Sequence, residues 1–391
     1  MTRMLDHAAY RHDYRLGLTG LRGVAALWVL LYHAWVYAVP REMQLGLFSI
    51  QIDVTPLFSA GFVGVDLFFV LSAYLLGARY FRWIEGRTSR PALAPYLLRR
   101  ARRIFPAYLF QLVLLLLVAA ATTLYIFPSP TALLAHLLFY FNLPPLWITQ
   151  LNGVWWTLPT EFYFYLILPL LALLLNGRTS RWLIVIVITA SVAYHYWVFL
   201  HFQQRGVELM SVMMGNTLGY LDGFSLGLLA SWLSVRIEHR VLPRRWMDFL
   251  FVLGWVGLLF SIWTLASIYT EYWTGHPLLY VRNLMIAVPA CLIVVATRHG
   301  SQLAHVLLSN QFIFFCGVVS YSLYLWHLPV ILVLSKSSFF INYSGYPLLA
   351  YLLVAVPLSL LCTWLSYHYV EAPFLTNKPA EQPVTDLQKL L

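Results

Sequence analysis

The sequence predicts an all-α, polytopic membrane bundle of about ten transmembrane helices with one re-entrant or interfacial segment. Three observations predict it. Of 391 residues, 61% are hydrophobic and only 10% charged, whereas a soluble domain carries about 25% charged residues. Apolar runs close to twenty residues long recur along the chain, the length that crosses a hydrocarbon layer. The cations collect in short stretches between those runs, so the net charge of +10 reads as a topology signal and not as a nucleic-acid footprint. Mean hydropathy is +0.73. Aromatics make up 17% of the chain and gather near the run ends, where ring and polar tip both find partners.

The apolar runs fall near 23–39, 61–78, 104–126, 131–147, 154–175, 182–200, 213–234, 247–268, 278–297, 312–335 and 347–370. Arg3, Arg11, Arg15 and Arg22 precede the first and place the N-terminus in the cytoplasm. The second run leads into Arg79, Arg82, Arg87, Arg90, Arg99, Arg100, Arg102 and Arg103, back on the same side after two crossings. If 131–147 also spanned, Arg178, Arg181, Arg236, Arg240, Arg244 and Arg245 would all be delivered outside. That run is short, contains His136 and Asn142, and is bounded by Pro128, Pro130, Pro144 and Pro145. It is therefore assigned as re-entrant or interfacial. Ten spans remain, with both termini cytoplasmic, and only Arg41, Arg205, Arg282 and Lys336 fall at or beyond the outer boundary. The segmentation is a cytoplasmic stretch 1–22, a membrane domain 23–370 and a polar cytoplasmic tail 371–391. A cleavable signal peptide over the first run is disfavoured by its long leading segment. No internal repeat is visible, which disfavours a transporter built from duplicated halves. The membrane region takes up almost the whole chain, so no appended soluble domain is expected. Cys291, Cys316 and Cys362 lie in apolar runs and read as small core hydrophobes.

Ionisable groups inside a bilayer are costly and mark functional sites. Asp66, Glu161 and Asp222 lie inside the runs, with His33 and His327. Counting 1.5 Å per residue, all five fall between the midplane and the outer surface. Scattered structural contacts do not require one shared depth. A histidine beside a carboxylate can take a proton from a hydroxyl. The same inventory would serve as the proton path of a transporter, and residue chemistry alone leaves both open.

The local motifs add to this. The segment Leu18–His33, LTGLRGVAALWVLLYH, is followed by Gly64–Tyr74, GVDLFFVLSAY, and by RRARRIFPAYL ending at Leu109. Then come Trp155–Pro169, WWTLPTEFYFYLILP, Tyr220–Leu229, YLDGFSLGLL, Ser320–Pro329, SYSLYLWHLP, and His368–Phe374, HYVEAPF. In this order they resemble the membrane acyltransferase 3 family, which includes bacterial O-acetyltransferases of surface polysaccharides. Ala73 departs from the family's usual glycine, and Phe162 and Phe164 replace more polar choices; these bear on helix packing or acceptor preference.

The resemblance implies acyl transfer from cytoplasmic acyl-CoA, acetyl-CoA in the usual case, to a hydroxyl beyond the membrane. The acceptor would be a carbohydrate or lipid-linked sugar of the cell envelope, and the membrane the bacterial inner membrane. Arg22 and His33 match the family's Arg-x10-His pair. Arg22, with Arg99, Arg100, Arg102 and Arg103, is expected to hold the donor phosphates, since a guanidinium binds phosphate through two parallel hydrogen bonds. His33 is expected to act as general base oriented by an acid, and Asp66, Glu161 and His327 complete the expected catalytic set. Asp222 is a weaker candidate, and Glu371 is expected to be a boundary or packing residue. Trp155, Tyr163, Tyr324 and Trp326 suit either an acceptor path or interfacial anchoring. No cluster has metal-ligand spacing, so no metal is expected. The alternative is a proton-coupled transporter or flippase for an envelope precursor, which would move its substrate without any acyl donor.

Overall fold

A computed structural model describes residues 2–38, 44–47, 50–142, 150–174, 180–240, 242–272, 274–337 and 347–375. Its principal helices are α1 (Thr2–Tyr37), α2 (Val63–Ile84), α3 (Leu93–Ala121), α4 (Thr157–Leu174), α5 (Ser180–Phe202), α6 (Leu221–Ile237), α7 (Arg244–Ser267), α8 (Leu278–Arg298), α9 (Gln311–Val318), α10 (Ser320–Ser335) and α11 (Pro347–Ser366). The only described strands, β1 (Gln44–Leu47) and β2 (Ile50–Asp53), pair antiparallel in a hairpin after α1. The all-α expectation missed this hairpin, whose second strand, Ile-Gln-Ile-Asp, alternates apolar and polar residues at the period of a strand.

Among the described residues seven helices are long and apolar enough to cross a membrane, and an eighth span results if α9 and α10, bent by 84° at Val319, count as one. The expected count of about ten is not confirmed by the described residues. The run at 154–175 becomes helical only at Thr157. The run at 213–234 is broken between Met214 and Leu221, where Asn216 caps the amides of Leu218 and Gly219 through its side-chain oxygen. That leaves α6 at 17 residues, about 25 Å of helix against a core of about 30 Å. In the segment assigned as re-entrant, Pro130–Leu137 forms a short helix with Ser129 as its N-cap; Pro144 and Pro145 lie outside the described residues. The first apolar helix starts at Leu16, so Arg22 lies inside the span instead of ahead of it. The stretch before it continues the same helix. The tail beyond Leu375 lies outside the described residues.

Close packing runs through glycines. A Cβ at Gly64 would lie 2.4 Å from the Ala25 carbonyl oxygen, and one at Gly61 2.4 Å from that of Trp28. Rising numbers in α2 therefore meet falling numbers in α1, and the two helices are antiparallel. Gly77 faces Leu228 and Ser231, and Gly227 faces Val70 and Ala73, so α2 and α6 run in the same direction. Ala73 is fully buried and packs against Gly227 of α6, whose missing side chain makes room for its methyl group. Phe164 stacks on Phe224 with centroids 3.9 Å apart, which places this aromatic departure in the α4–α6 packing.

Prolines interrupt five of these helices, each removing one backbone donor and freeing the carbonyl four residues earlier. Three of the freed carbonyls find side chains from elsewhere in the fold. Pro329 frees Leu325, whose oxygen accepts from Gln111 at 2.8 Å and Asn152 at 2.9 Å. Pro289 frees Met285, which accepts from Ser261 at 2.9 Å. Pro169 frees Tyr165, which accepts from the Tyr96 hydroxyl at 3.1 Å. In hydrocarbon an unpartnered carbonyl costs several kcal/mol, so these bonds fix which helices are neighbours.

One end of the bundle is basic. There Glu238, just past α6, accepts from Arg82 of α2 through both oxygens, at 3.1 and 2.8 Å. It also accepts from Arg298 at the end of α8 at 2.7 Å, and Arg87 stands 3.6 Å away. Burial alone would push the Glu238 carboxyl up, but Arg82, Arg298 and Arg87 outweigh it and hold it below its ordinary value. Its stabilising contribution is therefore fully present above about pH 4.3, the unfolded value, and is lost as pH falls through the lower folded value. The thermal midpoint of detergent-solubilised protein is expected to exceed that of Glu238→Gln at pH 7, with the gap narrowing as pH falls through the lowered folded value. A gap that stays constant or widens as pH falls contradicts this sign.

Candidate active site

An open cavity of about 770 Å³, mouth included, lies among five helices. Helical periodicity explains its lining. Val65, Phe68, Phe69, Ser72, Leu75 and Leu76 form one stripe of α2; Thr157, Leu158, Glu161 and Tyr165 form one stripe of α4. Arg22 comes from α1, Arg100, Arg103 and Ile104 from α3, and Ser320, Tyr321 and Tyr324 from α10. Asp66 follows Val65 by one residue, about 100° around the helix, and so does not face this cavity.

The expected arginine cluster divides by the same rule. Arg100 and Arg103 line the cavity; Arg99 and Arg102 do not. Arg103 is ion-paired with the buried carboxylate of Glu371, whose other oxygen accepts from Ser322 at 2.8 Å. The Arg103 guanidinium also lies 5.7 Å from the Tyr321 ring centroid. Glu371 thus holds a cavity arginine, and is more than a boundary residue. Glu161 accepts from the Ser72 hydroxyl at 2.5 Å and from the Tyr165 hydroxyl. Ser72 lies six residues beyond Asp66, about 9 Å nearer the basic end. Glu161 therefore belongs to the arginine level and not to the layer of the other acids. The Nε atoms of Arg22 and Arg100 are buried and have no hydrogen-bond partner among the described residues.

His33 and His327 meet beyond Tyr324, whose ring lines the cavity and lies 5.8 Å from that of His327. His327 Nε2 is 3.1 Å from His33 Nδ1. Each ring is fastened to its own helix one turn back: His327 Nδ1 to the Leu323 carbonyl and His33 Nδ1 to the Val29 carbonyl, both at 2.9 Å. Carbonyls only accept, so in neutral rings both Nδ1 atoms carry the protons. The one His33 Nδ1 proton is then shared between the Val29 carbonyl and His327 Nε2, and the lone pair of His33 sits on Nε2. That atom makes no hydrogen bond among the described residues. An unprotonated ring nitrogen in a fixed ring is what a proton acceptor requires.

No carboxylate hydrogen-bonds either histidine among the described residues, contrary to the expected orientation of His33 by an acid. Asp66 is drawn instead to Arg282 of α8, which donates to its two oxygens at 3.2 and 3.4 Å. The same guanidinium nitrogen reaches the Tyr220 hydroxyl at 2.8 Å. Asp222 accepts from Asn283 at 3.2 Å and from the Gly223 amide at 2.7 Å. Arg282, read from the sequence as an outer-boundary residue, is thus the counterion of Asp66, with 18% of its side chain exposed. An arginine four residues into an apolar helix, with an unmatched acid in another run, was the available signal.

Trp155 is fully buried and donates to Gln111 at 2.8 Å, in the network that supports the Leu325 carbonyl two residues before His327. Tyr163 bonds the Phe139 carbonyl at 3.3 Å. Tyr324 accepts from Thr157 and donates to the Val154 carbonyl, both at 2.9 Å. Trp326 is buried beside Phe110, with centroids 6.2 Å apart. Sequence reasoning missed Gln111, Ser72, Tyr165 and Ser320, whose only signal was polar placement inside apolar runs.

A family model described as an acyltransferase domain matches residues 15–368. Among curated proteins, the chain is 27% identical to YrhL of Bacillus subtilis, provisionally named a peptidoglycan O-acetyltransferase, over 95% of this chain and 56% of that one. It is 25% identical to the peptidoglycan O-acetyltransferase OatA of Listeria monocytogenes, over 94% and 57% of the two chains. It is 24% identical to the O-acetyltransferase OatA of Staphylococcus aureus, over 93% and 58%. The chain spans a little over half the length of these relatives. No solved structure matches it.

Proposed function

The chain belongs to the acyltransferase family, and from that membership we propose that it is an integral-membrane O-acyltransferase. It moves an acyl group, acetyl first, from acyl-CoA to a sugar hydroxyl of the cell envelope. The relatives' names point to peptidoglycan or its lipid-linked precursor as the acceptor. The basic end faces the cytoplasm, by the positive-inside rule, in the inner membrane with both termini inside.

One observation supports this reading: the arginine-lined cavity reaches Tyr324, whose ring lies 5.8 Å from that of His327 in a histidine pair with one free ring nitrogen. Arg22 and Arg100 bring unpartnered Nε atoms to the cavity, suited to phosphate oxygens. His33 lies eleven residues above Arg22, about 16 Å along the same helix, so an extended pantetheine arm carries the thioester past Tyr324 towards the pair. His33 Nε2 removes the proton of the acceptor hydroxyl as its oxygen attacks the thioester carbonyl. The C–S bond breaks, and the departing thiolate receives that proton from His33. His327 acts as a positioning residue: by accepting from Nδ1 it keeps the His33 lone pair on Nε2. Glu161, Ser72 and Tyr165 set the arginine level, and Asp66 serves through Arg282.

Purified protein in liposomes, given acetyl-labelled acetyl-CoA and a soluble peptidoglycan fragment, is expected to yield labelled, base-labile O-acetyl ester. Failure of label to reach any sugar acceptor, with CoA demonstrably bound, rejects the transfer reading.

A further inference from the structure

The 84° bend at Val319 gives α10 its own N-terminus within the bundle. The Leu323 amide closes the first turn of α10 on the Val319 carbonyl at 2.9 Å. As the first three residues of α10, Ser320, Tyr321 and Ser322 have no carbonyl one turn back within their own helix to accept from their amides. Ser320 lines the cavity, is fully buried, and its Oγ also lacks a partner. Across the same cavity stand the unpartnered Nε atoms of Arg22 and Arg100.

Buried donors without acceptors are costly and rare in native proteins. Here they converge from three helices on one space, and the α10 terminus adds the positive end of a 16-residue helix dipole. The next side chains of that turn are already committed. The Tyr321 hydroxyl donates to the Ile104 carbonyl at 2.8 Å, and Ser322 donates to Glu371. Glu371 in turn holds Arg103. The turn is thus anchored on both sides while the Ser320 hydroxyl stays without a partner.

We propose that Ser320 and the first-turn amides of α10, with Arg22 and Arg100, form a phosphate cradle that takes a phosphate or pyrophosphate group of the donor. This rests on the acyl-CoA reading for its ligand but on the orphan donors for its place. Helix termini with free amides are ready anion sites, and the hydroxyl supplies a further donor to a phosphate oxygen. Ser320 lies seven residues before His327, about 10 Å along α10, so the cradle and the histidine pair share one rigid helix.

The test measures binding of CoA, inorganic pyrophosphate and pantetheine to the full chain in lipid nanodiscs, for wild type, Ser320→Ala and Ser320→Thr. Ser320→Ala is expected to weaken CoA and pyrophosphate about tenfold, the loss of one hydrogen bond to a charged group, and to leave pantetheine unchanged. Ser320→Thr, which keeps the hydroxyl, restores the affinity. Wild-type binding of pyrophosphate without CoA supports the cradle and rejects the CoA reading. Unchanged CoA and pyrophosphate affinities in Ser320→Ala overturn the cradle while leaving CoA as donor, and wild type that binds neither overturns both.

Discussion

His33→Ala is expected to lower kcat for acetyl transfer by about a hundred- to ten-thousand-fold, the range for losing a positioned general base, with little change in KM for the donor. In the proposed mechanism the free Nε2 touches the acceptor hydroxyl, whereas the donor phosphates are held at the other end of the same helix. The effect at His327 follows from its hydrogen bond alone. His327→Gln offers an amide oxygen where Nε2 stood, 3.1 Å from His33 Nδ1, and is expected to keep more activity than His327→Leu, which offers no acceptor. Steady-state kinetics on the purified variants separates the cases. Equal losses in Gln and Leu would remove His327 from its positioning role.

The second large effect concerns stability. Arg282→Met leaves the Asp66 carboxylate, 4% exposed at its side chain, without its counterion. Breaking one partner of a buried pair costs about 3–5 kcal/mol. The double variant Asp66→Asn, Arg282→Met removes both charges and is expected to regain most of that loss. Denaturant unfolding in detergent, run as a double-mutant cycle, checks it. A double variant as unstable as Arg282→Met alone would mean that Arg282 stabilises the bundle through Tyr220 and Phe62, whose ring centroid lies 5.2 Å from it, and not through Asp66.

The membrane fold was readable from composition, because 61% hydrophobic residues in near-twenty-residue runs have few other stable arrangements. The number of spans was less readable. Hydropathy sees that Met213 to Ser234 is apolar but does not see Asn216 folding its side chain onto the next amides. Depth counting picked out His33 and His327, since both lie far along well-bounded runs. It misplaced Glu161, because the start of α4 depends on the turn before it. Which acid meets which base was not readable at all. Asp66 follows Val65 by one residue, yet the two face opposite partners, and only the placement of α8 decides that Arg282 claims the acid. The proline-freed carbonyls follow the same pattern: Pro329 predicts that Leu325 needs a partner, but Gln111 and Asn152 are supplied by tertiary packing. The arginine run was legible as a cluster, and the split of Arg100 and Arg103 from Arg99 and Arg102 needed the helix to be set in the bundle.

The central claim is that donor and acceptor reach one histidine pair from opposite ends of the bundle. It is tested most directly in sealed, sidedness-sorted proteoliposomes, with labelled acetyl-CoA supplied on one side and a membrane-impermeant glycan on the other. Labelled O-acetyl glycan is expected only when acetyl-CoA is on the side of the basic end, and in no orientation for His33→Ala. Equal labelling with both substrates confined to the same side, or undiminished labelling by His33→Ala, would contradict the account.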